Sequence, residues 1–285
     1  MAGPRLVVGM DDSEGSAHSL RWAIRHAERT GGSVRVVTCW QHPLAGWGAG
    51  AALSPFSSED LASRYGEAQK AFVRSVCGDA EVPMELVVEE GPPAKVLLSE
   101  AADSDLVVVG TRGRGRVAGA LLGSVSRQVA AAAPCPVVVV PAEASLDVDG
   151  SVVVGVDGST GSRAALRWAG ANATGQIRVV HVLEHLFDPI YDDPGIDWGD
   201  PLETGRQLVE MFVAETLGDR GDVVTSVAEG SPRSALVEAA TPKSMIVIGA
   251  RGATGLDGLL LGSVATAVLA EAQVPVVVLP EPDQI

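Results

Sequence analysis

The feature of this sequence that most constrains its fold is an internal duplication. The stretch "RLVVGMDDSEGSAHSLRWA", from Arg5, returns as "SVVVGVDGSTGSRAALRWA" from Ser151, and "LLGSVSRQV" returns as "LLGSVATAV". Further matching segments follow in the same order in both halves. We therefore predict two copies of one domain, residues 1–141 and 151–285, joined by an acidic linker over residues 142–150.

Within each copy, short β-branched runs alternate with apolar patterns of helical period. In the first copy the predicted strands are Leu6–Met10, Val34–Trp40, Glu85–Glu89, Leu106–Gly110 and Pro136–Val140. The predicted helices are Ser16–Arg29, Glu59–Val76, Ala94–Ala102 and Val125–Ala132. This alternation predicts an α/β fold: two doubly wound, five-stranded parallel-sheet domains in tandem, flavodoxin- or Rossmann-like.

Composition and charge exclude several classes of function. The formal net charge of −15 argues against nucleic-acid binding and against binding to anionic membrane surfaces. The three cysteines, Cys39, Cys77 and Cys135, are far apart and form no CxxC pair, so no disulfide framework or zinc site is indicated. The sequence enters its first strand without a signal-peptide pattern and holds no run of membrane-spanning length. We expect a cytoplasmic protein with no membrane insertion.

The candidate site lies where the strand order of such a sheet reverses, beyond the carboxyl ends of the first and fourth strands. After the first strand come Asp11 and Ser13, of which the serine is placed to cap the next helix. After the fourth strand come Gly110 and Gly113, and then Gly123–Ser124 at the start of the last helix. Ser124 could also cap that helix or donate a hydrogen bond. A carboxylate suits ribose hydroxyls and a glycine-lined helix N-terminus suits phosphate.

The glycines of the loop after the fourth strand have a specific spacing. A glycine, two residues, a glycine, nine residues and Gly-Ser occur over Gly110–Ser124 and again over Gly249–Ser263. The pattern resembles the nucleotide-binding motif of the universal stress protein family, as do "VGxDxS" after the first strand and the closing "PVVVVP". The resemblance covers nearly all of both halves. It implies a stress-response protein that binds ATP, with or without Mg²⁺, at one adenine-nucleotide site per domain.

The resemblance also implies a role for individual residues. Asp11 and Asp157 would meet the ribose, and Val36–Thr38 and Val179–His181, centred on Val37 and Val180, would lie near the adenine. The residues that would hold the phosphates are Gly110, Gly113, Gly123, Ser124 and Val125 in the first copy and Gly249, Gly252, Gly262, Ser263 and Val264 in the second. From the residues alone, Asp11 and Asp157 could instead serve only as helix-entry carboxylates.

Arginines distinguish the two loops. Arg112 and Arg251 recur, and we predict that both point into their sites. The first loop adds Arg114 and Arg116, each of which binds phosphate or is simply solvated. The second loop has Ala253, Gly255 and Asp257 instead, and the acidic segment Glu184–Asp200 should repel phosphate further unless it holds Mg²⁺. We predict tighter phosphate binding at the first site.

The sequence is compatible with three functions. No Walker A sequence occurs, and no base-plus-nucleophile set or arginine finger is evident, so we expect a nucleotide-dependent sensor or switch without committed catalysis. The alternatives are a slow ATPase and an interaction module that needs no nucleotide. The apolar last strands, Pro136–Val140 and Pro275–Leu279, are predicted to pair within the chain as an intramolecular pseudo-dimer. A homodimer of the whole chain is left open.

Overall fold

The computed structural model describes residues 3–42, 57–78, 80–113, 122–183, 200–253 and 261–281. The chain divides into two compact units, residues 1–142 and 143–285. The first unit contains β1 (Arg5–Met10), α1 (Glu14–Thr30), β2 (Ser33–Trp40), α2 (Ser58–Cys77), β3 (Met84–Glu90), α3 (Pro93–Ala101), β4 (Leu106–Gly110), α4 (Ser124–Ala132) and β5 (Val137–Val140).

The second unit repeats this series. It contains β6 (Val152–Gly155), α5 (Thr160–Asn172), β7 (Ile177–Leu183), α6 (Pro201–Leu217), β8 (Val223–Glu229), α7 (Pro232–Ala239), β9 (Met245–Gly249), α8 (Ser263–Glu271) and β10 (Val276–Leu279). The predicted elements of the first copy are confirmed, with shifts of one or two residues at most of their ends. Helix α1 begins two residues before its predicted start because Ser13 caps it ahead of the apolar pattern.

All strand pairs within a unit are parallel, in the order β3-β2-β1-β4-β5 in the first unit and β8-β7-β6-β9-β10 in the second. The central strands pair in equivalent registers, with Leu6 opposite Leu106 and Val152 opposite Met245. This is the Rossmann-type order, in which the chain reverses direction across the sheet between β1 and β4. The predicted α/β class and the expected neighbours are therefore confirmed.

The centre of each sheet is built from buried valines, with leucine in the first unit and isoleucine in the second, as continuous apolar strands require. Glycines in the central strands let a helix pack closely. A Cβ at Gly9 would lie 2.9 Å from Leu97 Cδ1, and one at Gly155 would lie 3.1 Å from Leu236 Cδ1. Helices α3 and α7 therefore lie directly on β1 and β6, beside the predicted site. None of the helices in the described ranges is long and apolar enough to cross a membrane.

Candidate functional site

A cavity of about 230 Å³ lies at the carboxyl ends of β1 and β4 in the first unit. Eight of the residues that the sequence predicted for this site line it, namely Asp11, Val37, Gly110, Arg112, Gly113, Gly123, Ser124 and Val125, whereas Val36 and Thr38 are not among the lining residues. They come from four separate parts of the chain, between β1 and the first turn of α4. The reversal of strand order is what brings them together.

The carboxylate of Asp11 lies at the polar end of this cavity, against the glycine loop. Its Oδ1 accepts a hydrogen bond from the Ser13 backbone N–H at 3.2 Å, which supports the start of α1. Its Oδ2 lies so close to Gly113 that a Cβ at that position would overlap it. Only glycine at residue 113 leaves room for both the carboxylate and the loop.

The second unit repeats this contact with Asp157. Its Oδ1 accepts hydrogen bonds from the Ser159 N–H at 3.0 Å and the Ser159 hydroxyl at 2.6 Å, and its Oδ2 accepts from the Ala253 N–H at 2.8 Å. A Cβ at Gly252 would lie 2.5 Å from Oδ2. Burial would raise the pKa of Asp157, but these hydrogen bonds outweigh it and hold the pKa below its usual value. The group is a carboxylate at neutral pH, able only to accept hydrogen bonds.

In each unit the first turn of the first helix, α1 or α5, packs against the loop after the fourth strand, β4 or β9, through a glycine that the sequence did not lead us to predict. A Cβ at Gly15 would lie 2.9 Å from the Arg112 carbonyl oxygen, and a Cβ at Gly161 would lie 2.9 Å from that of Arg251. Gly110 makes the reciprocal contact, because a Cβ there would lie 3.2 Å from the Gly15 carbonyl carbon. The sequence does indicate this glycine, because "EGS" in the first copy recurs as "TGS" in the second.

Helices α4 and α8 each begin after a glycine N-cap, and the first turn of α4 lines the first cavity. Gly123 and Gly262 are the N-cap residues, and neither helix receives a side-chain cap among the described residues. The suggestion that Ser124 caps α4 is wrong, because Ser124 is already the first helical residue. The Gly123 N–H donates to the Thr111 carbonyl at 2.7 Å, so the next amides of the first turn are the ones available to an anion.

The opposite end of the first cavity is largely apolar. Val37 and Cys39, two residues apart on one face of β2, line it together with Met10, Pro93 and Leu97. Cys39 was not predicted, although strand alternation from Val37 indicates it. Burial raises the pKa of the Cys39 thiol to about 11, with smaller contributions from Glu89 and Glu100, so the thiol is uncharged at neutral pH.

In the second unit the predicted residues make equivalent contacts. Val180 is buried and lies opposite Gly155 in the sheet, as Val37 lies opposite Gly9. A Cβ at Gly249 would lie 2.8 Å from the Gly161 carbonyl carbon, and one at Gly262 would lie 3.4 Å from the Arg251 Cα. Ser263 and Val264 follow Gly262 in the first turn of α8.

A further cavity of about 330 Å³ lies on the α5–α6 side of the second unit, and of the residues predicted for that unit's site it includes Asp157 and His181. Several of the residues on which the predicted inequality of the sites depends lie outside the described residues. They are Arg114, Arg116, Gly255, Asp257 and all but the last residue of the acidic segment Glu184–Asp200.

The fold and the two strand-end sites define this chain as a tandem α/β protein with one candidate ligand site per domain. The model of the universal stress protein family matches residues 4–141 and 150–280. The chain therefore belongs to the universal stress protein family, with two family domains in tandem.

Individual relatives align with nearly the whole chain. A universal stress protein of Mycolicibacterium smegmatis is 30% identical over 282 residues, covering 96% of this chain and 96% of the relative. One from Mycobacterium tuberculosis is 31% identical over 290 residues, covering 96% and 95%. The crystal structure of a universal stress protein from Archaeoglobus fulgidus has a TM-score of 0.69 at 20% identity, covering 100% of this chain and 98% of that one. This last match supports the fold.

Proposed function

We propose that each unit binds one adenine nucleotide, with ATP as the ligand, and that the chain is a nucleotide-dependent regulatory protein of the stress response without committed catalysis. The observation that carries the proposal is that eight residues predicted for the first site line one cavity. Those residues come from separate parts of the chain, so local sequence alone does not explain their meeting.

The chemistry of the cavity divides along its length as a nucleotide requires. The apolar end at Val37 and Leu97 suits the flat faces of a purine base. The carboxylate of Asp11 suits a pair of ribose hydroxyls, because an ionised carboxylate accepts several hydrogen bonds. The first turn of α4 and the guanidinium of Arg112 suit the negative phosphates.

The second unit supports the same assignment through its contacts. Asp157 is held as a carboxylate beside Gly252, and Gly262 opens α8 as Gly123 opens α4. A ribose hydroxyl that binds Asp157 must share Oδ2 with the Ala253 amide or replace it. Mg²⁺ is compatible with the proposal but is not needed for it.

Mass spectrometry and calorimetry test the proposal together. Ligand released by denaturing freshly purified protein should include an adenine nucleotide, and titration with ATP should give two sites per chain. Ser124→Glu should reduce the stoichiometry to one, because it places a negative charge at the proposed phosphate position. An acid in the first turn also favours the helix, so this variant should fold.

Ser263→Glu is the corresponding variant in the second unit, and Gly66→Val is the control. A Cβ at Gly66 meets nothing within 4 Å, so the control adds bulk in the same unit away from the cavity. Unchanged stoichiometry in both glutamate variants, or no ATP binding in the parent chain, contradicts the proposal. The second outcome would favour the nucleotide-independent interaction module.

Two finer parts of the hypothesis remain predictions. We propose that the first unit binds phosphates more tightly, because its loop carries Arg114 and Arg116. We also propose that the last strands of the two copies pair within the chain, because an exposed edge made of valine and leucine invites aggregation.

A further inference from the structure

The strand that closes the second sheet is followed by a carboxylate that reaches the candidate site. Oε1 of Glu281 lies 3.6 Å from Nε of Arg251. Its Oε2 accepts a hydrogen bond from the Thr160 hydroxyl at 3.3 Å. The Glu281 and Arg251 side chains are only 21% and 31% exposed, so water screens their attraction less than it would on an open surface.

Arg251 lies between two helix starts, and Glu281 contacts the start of α5. The Arg251 carbonyl packs against Gly161 in the first turn of α5, and its Cα packs against Gly262 at the start of α8. The Glu281 carboxylate lies on the α5 side, with Oε1 3.5 Å from where a Cβ of Gly161 would be. The guanidinium is therefore held toward α5, whereas the proposed phosphate position is at α8.

The first unit has no carboxylate at the equivalent position. "PVVVVPA", from Pro136, aligns with "PVVVLPE", from Pro275, so Ala142 corresponds to Glu281. Arg112, the counterpart of Arg251, lines the first cavity together with Gly123 and Ser124 of the α4 start. The two units thus combine the same arginine with different residues after their last strands.

We propose that Glu281 is an internal competitor for the phosphates of the nucleotide, and that it weakens nucleotide binding in the second unit. Its carboxylate pairs with the arginine that phosphate would use and adds a negative charge beside the phosphate position. This inference rests on the proposed function, and it identifies a residue that sets the affinity of the second site. It depends on described residues alone and is independent of Arg114 and Arg116.

The test measures ATP affinity by calorimetry in a chain whose first site is blocked by Ser124→Glu. In that background, Glu281→Gln should tighten ATP binding about two- to fivefold at low salt, as expected for a partly exposed ion pair. The gain should shrink at high salt because the competing charge is screened. Thermal unfolding of each variant checks that the fold is intact.

Glu271→Gln is the matched control, since it removes the same charge from the same unit. Glu271 pairs with Arg233 at 2.8 Å and lies at the other end of α8 from the proposed phosphate position, so the affinity should not change. The reciprocal variant, Ala142→Glu, should weaken ATP binding at the first site when the second is blocked by Ser263→Glu.

The outcomes separate this inference from the proposed function. If ATP binds the second site and Glu281→Gln leaves the affinity unchanged or lowers it, the competitor role is overturned while the proposed function stands. An equal gain from Glu271→Gln also overturns it, because the effect is then one of net charge. If neither the parent chain nor any variant binds ATP, both proposals fail.

Discussion

The two units have the same close glycine contacts at their candidate sites but different charges around them. At these sites five glycines recur in both copies, namely the pairs 9 and 155, 15 and 161, 110 and 249, 113 and 252, and 123 and 262. At each of these positions a Cβ would lie 3.3 Å or less from another atom. Where packing leaves no space the residue type cannot change, and the loop geometry is kept with it.

Charged residues away from these contacts differ between the units. His26, buried in α1, corresponds to the exposed Asn172 of α5. Arg35 forms an ion pair with Glu100, whereas at the equivalent positions the second unit has Arg178 and Ala239. The comparison therefore predicts units with similar site geometry and different responses to pH and to mutation.

The largest expected difference between the two units is in their stability at acid pH. His26 is 8% exposed and stacks on Trp22 with ring centroids 5.0 Å apart. Burial, and then the charge of Arg29, lowers its pKa from 6.5 to about 4. The unfolded chain takes up this proton at a higher pH than the folded one, so stability is complete above pH 6.5 and falls as the pH drops toward 4.

The loss in the first unit should approach about 3 kcal/mol near pH 4. Hydrogen exchange followed by mass spectrometry between pH 7 and 4 resolves the units, and peptides of α1 should lose protection before those of α5. His26→Asn copies the second unit and should remove this part of the pH dependence. Equal loss of protection in both units, or an unchanged profile in His26→Asn, would show that other groups control acid stability.

The contact between the first helix and the loop after the fourth strand is tighter in the second unit than in the first. A Cβ at Gly249 would lie 2.8 Å from the Gly161 carbonyl carbon, whereas one at Gly110 would lie 3.2 Å from that of Gly15. Both neighbours are backbone atoms, which cannot rotate away. Gly249→Ala should therefore lower the free energy of unfolding by about 2–3 kcal/mol and Gly110→Ala by about 1 kcal/mol.

Calorimetric unfolding of the two variants measures this difference. Gly221→Ala is the control, because a Cβ there meets nothing within 4 Å and its backbone conformation suits other residues. Equal destabilisation by Gly249→Ala and Gly110→Ala would mean that the loop after β9 relaxes as easily as the loop after β4.

An ion pair joins β2 to α3 in the first unit. Arg35 Nε donates to Glu100 Oε2 at 2.6 Å, and both side chains are 18% exposed. Arg35 also pairs with Glu85 on β3. Glu100→Ala leaves a half-buried guanidinium with one partner fewer and should cost about 1–2 kcal/mol.

Removing Arg178, the counterpart of Arg35 in the second unit, should have almost no effect on stability. Arg178 is exposed, and Arg178→Ala should alter the free energy of unfolding by less than about 0.5 kcal/mol. Denaturant unfolding of the two variants gives both values. A cost of the same size in both would show that the Arg35–Glu100 pair adds no more than an ordinary surface charge.

The sequence predicted features that repeat or alternate locally. The strands follow from β-branched runs, and the glycine spacing correctly located Gly110 at the end of β4 and Gly123 at the start of α4. The ion pair of Arg35 with Glu100 joins residues 65 positions apart, so no local pattern indicates it. Gly15 recurs as Gly161, but the recurrence does not show its cause, which is the Arg112 carbonyl in a loop that only the fold brings near.

The smallest expected difference in stability comes from a glycine in the interior of α2 and another in the interior of α6. A Cβ at Gly66 meets nothing within 4 Å, whereas one at Gly205 would lie 3.2 Å from Val227 Cγ1. Alanine favours the helix over glycine by about 1 kcal/mol, so Gly66→Ala should raise the free energy of unfolding by about 0.5–1 kcal/mol. In Gly205→Ala the same gain is offset by the tight contact with the buried face, and the net change should be close to zero. Denaturant midpoints of the two variants against the parent measure both effects. A larger gain from Gly205→Ala would show that Val227 moves aside freely and that the α6 face of the second unit is packed more loosely than the α2 face of the first.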